Sequence, residues 1–281
     1  MSVWYDIINF LFPFQWAQYD FMKNALLGVL LVTPMFGILG TMVVNNKMAF
    51  FSDALGHSAL TGIAVGVMLG IDNTLISMLG FSILLTIAII NVKNAKTASV
   101  DTIIGVFSSS AVALGIVILS YNGGFNKYSV YLIGDLLSIS SGDILMLIIS
   151  FVVVLIIWFT CFNKFLLVSI NNTFARSRGI NVKFYEYVFT ILVAIIVTIS
   201  IRWVGILVIS SMMILPAASA RNIANNIRQY HIYSILIAVI SGISGLFVSY
   251  HFGCATGATI VLISSLFFAI TYFISIRKSV G

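Results

Sequence analysis

Long apolar runs alternate with short polar connections along the whole chain. Each run is about 20 residues long, the length an α-helix needs to cross a bilayer of roughly 30 Å. The pattern predicts nine helices, near 25–45, 48–70, 73–92, 101–121, 142–162, 186–201, 204–221, 231–251 and 255–276. Only Arg202 and Trp203 separate the sixth and seventh runs, so eight spans are the alternative. Either number predicts an all-α, polytopic membrane bundle.

Composition strengthens this prediction and sets an orientation. Of 281 residues, 60% are hydrophobic and only 8% are charged, whereas a soluble domain is about one quarter charged. The net charge of +6 comes from scattered residues, which argues against a nucleic-acid partner. Basic residues in short loops mark the cytoplasmic side. Eleven fall on one predicted side and three on the other, which places the C-terminus in the cytoplasm.

Three negative observations narrow the class of protein. Residues 1–21 are aromatic and contain Pro13, which favours an interfacial segment over a cleavable signal. Cys161 and Cys254 lie in different runs, so we expect neither a disulfide nor a cysteine metal site. The sequence contains no GxxxxGK[ST] phosphate loop. Any ATP hydrolysis therefore needs a separate subunit, and the chain itself is not expected to be an enzyme.

The second run, "FFSDALGHSALTGIAVG", carries two series of residues spaced by four. Small residues form the first series and predict close helix packing: Ala54, Ser58, Gly62, Gly66 and Gly70. The second series is polar and lies about 100° further around the helix: Asp53, His57 and Thr61. One stripe therefore predicts packing and the neighbouring stripe presents polar groups.

Asp53 and His57 are the candidate metal ligands. Side chains four apart on a helix lie close enough to contact each other or to share one cation. Ionisable groups at membrane depth are costly and are a functional hypothesis by default, with mutual structural pairing as the alternative. Zinc and manganese accept imidazole nitrogen and carboxylate oxygen, and a zinc site usually has three or four protein ligands. A two-fold homodimer would supply two Asp and two His.

The remaining polar features have simpler interpretations. Residues 163–185 form the longest predicted inner connection, either a short surface helix ended by Gly179 or a plain basic loop. His231 and His251 lie at opposite edges of the eighth run, where we expect interfacial rather than ligand roles. Pro216 lies inside a run and predicts a bent helix.

Several motifs together resemble one family. "FFSDALGHSALTGIAVG", "YLIGDLLSIS", "FARSRGIN", "VGILVISSMMILPAASARNIA" and "TGATIVLIS" occur in the order seen in permease subunits of ABC importers for zinc and manganese. The resemblance implies a homodimeric permease, built like the cobalamin and siderophore importers, in a prokaryotic cytoplasmic membrane. It implies cytoplasmic ATP-binding subunits and an extracytoplasmic metal-binding protein as partners.

The resemblance also assigns residues. It implies that Asp53 and His57 line the translocation path, and that residues 163–185 hold the segment that couples to the ATPase. The coupling residues would be Phe174, Ala175, Arg176, Ser177, Arg178 and Gly179. Asn171 and Asn172 stand where many relatives have acidic residues, and "ATGAT" at 255–259 lacks two prolines common in the family.

The predicted function is therefore a single permease domain, residues 1–281, that imports a divalent transition-metal ion. Zinc, manganese or iron would be cargo in transit, and no permanently bound cofactor is expected. The alternatives are a permease for a metal chelate, an intramembrane enzyme using His57 with Ser58 or Asp53, and a passive channel.

Overall fold

The computed structural model describes residues 4, 8, 19–95, 98–121, 131 and 134–280, without the side chains of residues 141, 207 and 278–280. Ten α-helices and one 3-10 turn, Leu136–Ser138, make up the regular structure of these ranges. The helices are α1 (Asp20–Asn45), α2 (Ala49–Met68), α3 (Thr74–Asn94), α4 (Val100–Tyr121), α5 (Ser141–Ile170), α6 (Asn172–Ser177), α7 (Val182–Val204), α8 (Ile206–Ile223), α9 (Ile227–Phe252) and α10 (Thr256–Val280). Apart from the short α6, they match the nine predicted runs in order, which confirms the all-α prediction.

Asparagine side chains begin several of these helices. The Oδ1 atom of Asn73 accepts from the backbone N–H groups of Leu75 and Ile76 at the start of α3. Asn181 and Asn226 cap α7 and α9 in the same way. A capping side chain satisfies N–H groups that have no partner within the helix. The polar residues that separate the apolar runs therefore also fix where the next helix starts.

Gly205 separates α7 from α8. Its φ of +85° and ψ of 149° lie in a region that is essentially restricted to glycine. A Cβ atom placed on Gly134 would come within 2.7 Å of the Gly205 Cα atom and 2.5 Å of the Val204 carbonyl carbon. Two backbone segments therefore meet here without a side chain between them. Within the described ranges, this break supports nine long helices over eight.

Seven of the helices, α1, α3, α4, α5, α7, α9 and α10, are long and apolar enough to cross a membrane, judged on the residues that the structure describes. The two other long helices are α2 and α8. More than half of the residues of α2 are buried within the protein, and α2 carries Asp53 and His57. Ionisable residues within membrane segments normally face other helices or a water-filled cavity.

The chain divides into two compact units, and three helices contribute to both. The first unit comprises residues 1–41, 135–153 and 211–281. In it, α1 lies against α8 and α9 with almost no space between backbones. A Cβ atom on Gly37 would lie 2.9 Å from the Ile235 Cα atom. Ser234 donates a 2.7 Å hydrogen bond to the Gly37 carbonyl oxygen at the same contact.

The second unit comprises residues 42–134 and 154–210 and contains the candidate site. In it, α2 packs against α3, α4 and α7, and α7 also packs against α3. A hydrogen bond of 3.0 Å from Thr198 Oγ1 to Ser82 Oγ joins α7 to α3 in a buried position. The predicted interfacial segment, residues 1–21, lies outside the described residues except at positions 4, 8 and 19–21.

Candidate metal-binding site

Asp53 and His57 contact each other on α2. The helix places residues four apart on one face, and His57 Nε2 lies 3.5 Å from Asp53 Oδ1. The Asp53 side chain is 43% exposed and the His57 side chain is 31% exposed. Both groups therefore remain open on one side, although the rest of the helix is largely covered.

Ser210, near the start of α8, is a third member of the site. Its hydroxyl donates to Asp53 Oδ1 over 3.4 Å, and Ser210 itself is buried. The imidazole and the hydroxyl thus converge on one carboxylate oxygen. Among the described residues, Asp53 Oδ2 has no hydrogen-bond partner. The sequence pattern did not identify Ser210, because 157 positions separate it from Asp53 and one serine in an apolar run carries no signal.

The small-residue stripe of α2 is buried at Ala54, Ser58, Gly62 and Gly66. A Cβ atom on Gly62 would lie 2.9 Å from Met78 Cα and 3.1 Å from Phe81 Cβ, and one on Gly66 would overlap the Ser77 side chain. Gly62 and Gly66 thus allow α3 to approach α2 closely.

Gly70 differs from the predicted stripe. The helix ends at Met68, and Gly70 follows with a φ of +72°. A Cβ atom there would meet nothing within 4 Å. Gly70 therefore ends the helix by adopting a left-handed conformation instead of packing against another helix.

Thr61 and Ser58 are both committed to structural hydrogen bonds. Thr61 is buried and donates to the Ala111 carbonyl oxygen on α4, so it does not extend the open face of Asp53 and His57. Ser58 donates a 2.9 Å hydrogen bond to the Leu55 carbonyl oxygen within α2. The Ser58 hydroxyl is thus directed along its own helix and not toward His57 as a nucleophile would be.

The two other histidines lie elsewhere. His231 is 8% exposed, and its Nδ1 atom lies 2.7 Å from Thr41 Oγ1. His231 is therefore buried within the protein, because α1 supplies a buried hydroxyl partner. His251 is exposed at the end of α9 against Phe247 and Tyr250, as an interfacial aromatic group would be.

The predicted inner connection is mostly helical. The end of α5 reaches Ile170, and α6 occupies Asn172–Ser177. Asn171 caps α6 by accepting from the N–H groups of Thr173 and Phe174 at 2.9 and 3.1 Å. Asparagine thus performs a capping role for which an acidic side chain is equally suited.

Most of the candidate coupling residues point away from the unit. The guanidinium carbon of Arg178 lies 5.2 Å from the centre of the Phe174 ring, a cation–π arrangement. Ala175 alone is buried, and the others are exposed: Phe174, Arg176, Ser177, Arg178 and Gly179. The segment thus exposes aromatic and positively charged groups on a short helix and the turn after it.

Comparison with known proteins gives this geometry a context. A family model described as "ABC 3 transport family" matches residues 18–275. The chain belongs to this family. The family membership confirms the resemblance carried by the sequence motifs.

Two relatives of the ABC 3 chain have names that state a metal. This chain is 32% identical over 261 residues to the manganese import system permease protein ScaB of Streptococcus parasanguinis, and the match covers 93% of each chain. It is 31% identical over 257 residues to the high-affinity zinc uptake system membrane protein ZnuB of Haemophilus influenzae, covering 91% of this chain and 98% of that protein.

A solved structure supports the fold of this ABC 3 chain. PsaBC from Streptococcus pneumoniae, determined in complex with Fab, matches with a TM-score of 0.80 and 28% identity. The match covers 98% of this chain and 96% of that chain. This ABC 3 chain is thus a multi-pass membrane protein of the permease class.

Proposed function

We propose that this chain is the membrane permease subunit of an ATP-driven importer that carries a divalent transition-metal ion, zinc or manganese. The observation that carries the proposal is the 3.5 Å contact between His57 Nε2 and Asp53 Oδ1 on the open face of a helix that is otherwise packed. Nitrogen and oxygen donors suit both metals. The names of the manganese and zinc relatives support the same class of cargo.

One chain supplies only part of a metal site. Among the described residues, no group of three or more His, Cys, Asp or Glu side chains is close enough to hold a metal. In our proposal two copies of the chain meet about a two-fold axis, so that two Asp53 and two His57 side chains face each other. A site assembled in this way binds the ion in transit, since transport requires release as well as capture.

The proposal assigns a partner to each side of the membrane. Cytoplasmic ATP-binding subunits hydrolyse ATP and contact α6 and the residues after it, where Phe174, Arg176 and Arg178 are exposed. An extracytoplasmic metal-binding protein delivers the ion to the other side. The basic residues near this segment, including Lys164 and Lys183, support a cytoplasmic position for it and for the C-terminus.

Metal uptake by single-site variants tests the site. The variants Asp53→Ala and His57→Ala are produced with the partner subunits in cells that lack the native permease, and uptake of radioactive zinc and manganese is measured separately. We expect both variants to lose uptake while membrane protein level and ATPase association stay normal. His251→Ala and Asp101→Asn, which change an exposed imidazole and an exposed carboxylate elsewhere, serve as matched controls.

The outcomes separate the candidate functions. Normal uptake of both metals by Asp53→Ala and His57→Ala contradicts the site assignment. Uptake that persists without the ATP-binding subunits indicates a passive channel. Uptake of a metal chelate, but of neither free metal, indicates a chelate permease. Comparing the two metals in the wild-type protein also identifies the preferred cargo.

A further inference from the structure

An ion pair outside the metal site joins the ends of two helices in the second unit. Lys93 lies in the last turn of α3, and its Nζ atom directly contacts Oε1 of Glu186, near the start of α7. The side chains are only 21% and 14% exposed. Glu186 is the single glutamate in the sequence. A poorly solvated ion pair is rarely needed for stability alone, because desolvation offsets much of the attraction.

The ion pair lies between the candidate coupling segment and the start of α2. The chain passes from α6 through a short turn into α7, so Glu186 lies in the helix that follows the candidate coupling segment. Lys93 Nζ also lies 3.7 Å from the sulfur of Met48, the residue that immediately precedes α2. One ammonium group therefore contacts both the helix after the candidate coupling segment and the residue immediately before the helix that carries Asp53.

A cavity of about 220 Å³ lies beside the ion pair. Its wall contains Lys93, Glu186, Met48 and Asn172, the first residue of α6. The ends of α1, α3 and α5, the starts of α6 and α7, and Met48 just before α2 therefore meet around one space. A movement of α6 or of the first turns of α7 would therefore change the contacts around this cavity.

Further contacts connect α7 to α2, the helix that carries Asp53 and His57. Tyr187, next to Glu186, donates to Asn91 Oδ1 on α3, which forms a second bridge between α7 and α3. The same α3 packs against Gly62 and Gly66 of α2 through Ser77 and Met78. These contacts form a continuous path from α6 through α7 and α3 to α2, and every residue in it belongs to the second unit.

We propose that the Lys93–Glu186 ion pair is a positioning pair that couples movement of the α6–α7 segment to α2 and therefore to metal release. The inference rests on the proposed role of α6 in contacting the ATP-binding subunits. With the pair intact, a displaced α7 carries α3 and the start of α2 with it. Without the attraction, α7 moves while α2 stays behind, so that ATP is hydrolysed without transport.

The test measures transport and ATP hydrolysis in the same sample. The permease is reconstituted in proteoliposomes with its ATP-binding subunits and its metal-binding protein, and zinc or manganese ions transported per ATP hydrolysed are determined. We expect Glu186→Gln and Lys93→Met each to lower this ratio about tenfold, a typical size for an allosteric coupling. The rate of ATP hydrolysis should stay near the wild-type value.

Rescue and control variants distinguish coupling from a structural role. The double variant Lys93→Glu/Glu186→Lys reverses the pair, and we expect it to recover most of the lost ratio. Lys183→Met removes an exposed positive charge one turn earlier in α7 and should leave the ratio unchanged.

An unchanged ratio in the single variants overturns the inference. So does a parallel fall in transport, ATP hydrolysis and melting temperature, and so does a charge reversal without recovery. Absence of ATP-dependent metal transport in the wild-type sample contradicts the proposed function instead, so the two failures are distinguishable.

Discussion

Replacing Gly62 by alanine tests how α2 is held in place. A Cβ atom at this position lies 2.9 Å from Met78 Cα and 3.1 Å from the Ser77 carbonyl oxygen. Both atoms belong to the backbone of α3, so a change of rotamer cannot relieve the overlap. Carbon atoms in good contact are 3.5–4.0 Å apart, so the two helices must separate locally by about 0.6 Å.

Gly80 provides a matched control on α3, the helix that packs against Gly62. It lies inside α3, is exposed, and a Cβ atom there would meet nothing within 4 Å. Alanine at either position improves intrinsic helix stability by up to about 1 kcal/mol. Only Gly62→Ala adds overpacking, which costs about 1–3 kcal/mol. The difference between the two variants therefore isolates the contact between α2 and α3.

Thermal melting of the purified protein measures this difference. We expect Gly62→Ala to melt roughly 2–10 °C below Gly80→Ala. Metal uptake by Gly62→Ala should also fall, because the displaced helix carries Asp53 and His57. Equal melting temperatures, or a more stable Gly62→Ala, would show that close approach of these helices does not position the site.

Three further substitutions give expected outcomes. Ser210→Ala removes the hydroxyl that donates to Asp53 over 3.4 Å, and we expect it to raise the metal concentration for half-maximal uptake with little loss of stability. Ser210→Thr keeps a hydroxyl and should have a milder effect. Unaltered uptake kinetics in Ser210→Ala would contradict an orienting role for Ser210. Thr61→Val removes the buried bond to Ala111 and should lower stability by about 1 kcal/mol without changing metal preference, whereas a changed zinc-to-manganese uptake ratio would place Thr61 in the site. Gly134→Ala places a Cβ atom against the backbone of Gly205 and should lower the melting temperature more than Gly253→Ala. Gly253 is the matched control, because its φ is also positive but a Cβ atom there would meet nothing within 4 Å. A larger fall in Gly253→Ala would refute the contact.

The helices were predictable because the apolar runs are long and their boundaries are polar. The run predicted at 48–70 corresponds to α2 at Ala49–Met68. Gly70 shows the limit of this reasoning, because a spacing of four residues continues in the sequence after the helix has ended. The helix α5 extends to Ile170, beyond the predicted end at 162, and Lys164 in this extension lies over the Tyr185 ring at 5.1 Å.

Long-range contacts were not predictable from one sequence. Asp53 and His57 are four residues apart, and helical periodicity alone brings them together. Ser210 and Asp53 meet only because α8 begins immediately after the turn at Gly205. The Lys93–Glu186 pair spans 93 positions and depends on how α3 and α7 pack. Charges in a mostly apolar chain are the signal that would select such residues for closer study.

The packing of α2 leads to an inference about what completes the metal site. Contacts with α3 through Gly62 and with α4 through Thr61 cover two sides of the helix, and Gly56 lies against Ile206 of α8. Asp53 and His57 keep the open side. Because exposure of ionisable groups to lipid is costly, this side must adjoin water or another protein surface. In the proposed homodimer a second copy of α2 would supply the missing ligands, so the small residues that pack the helix would also set the direction in which Asp53 and His57 point.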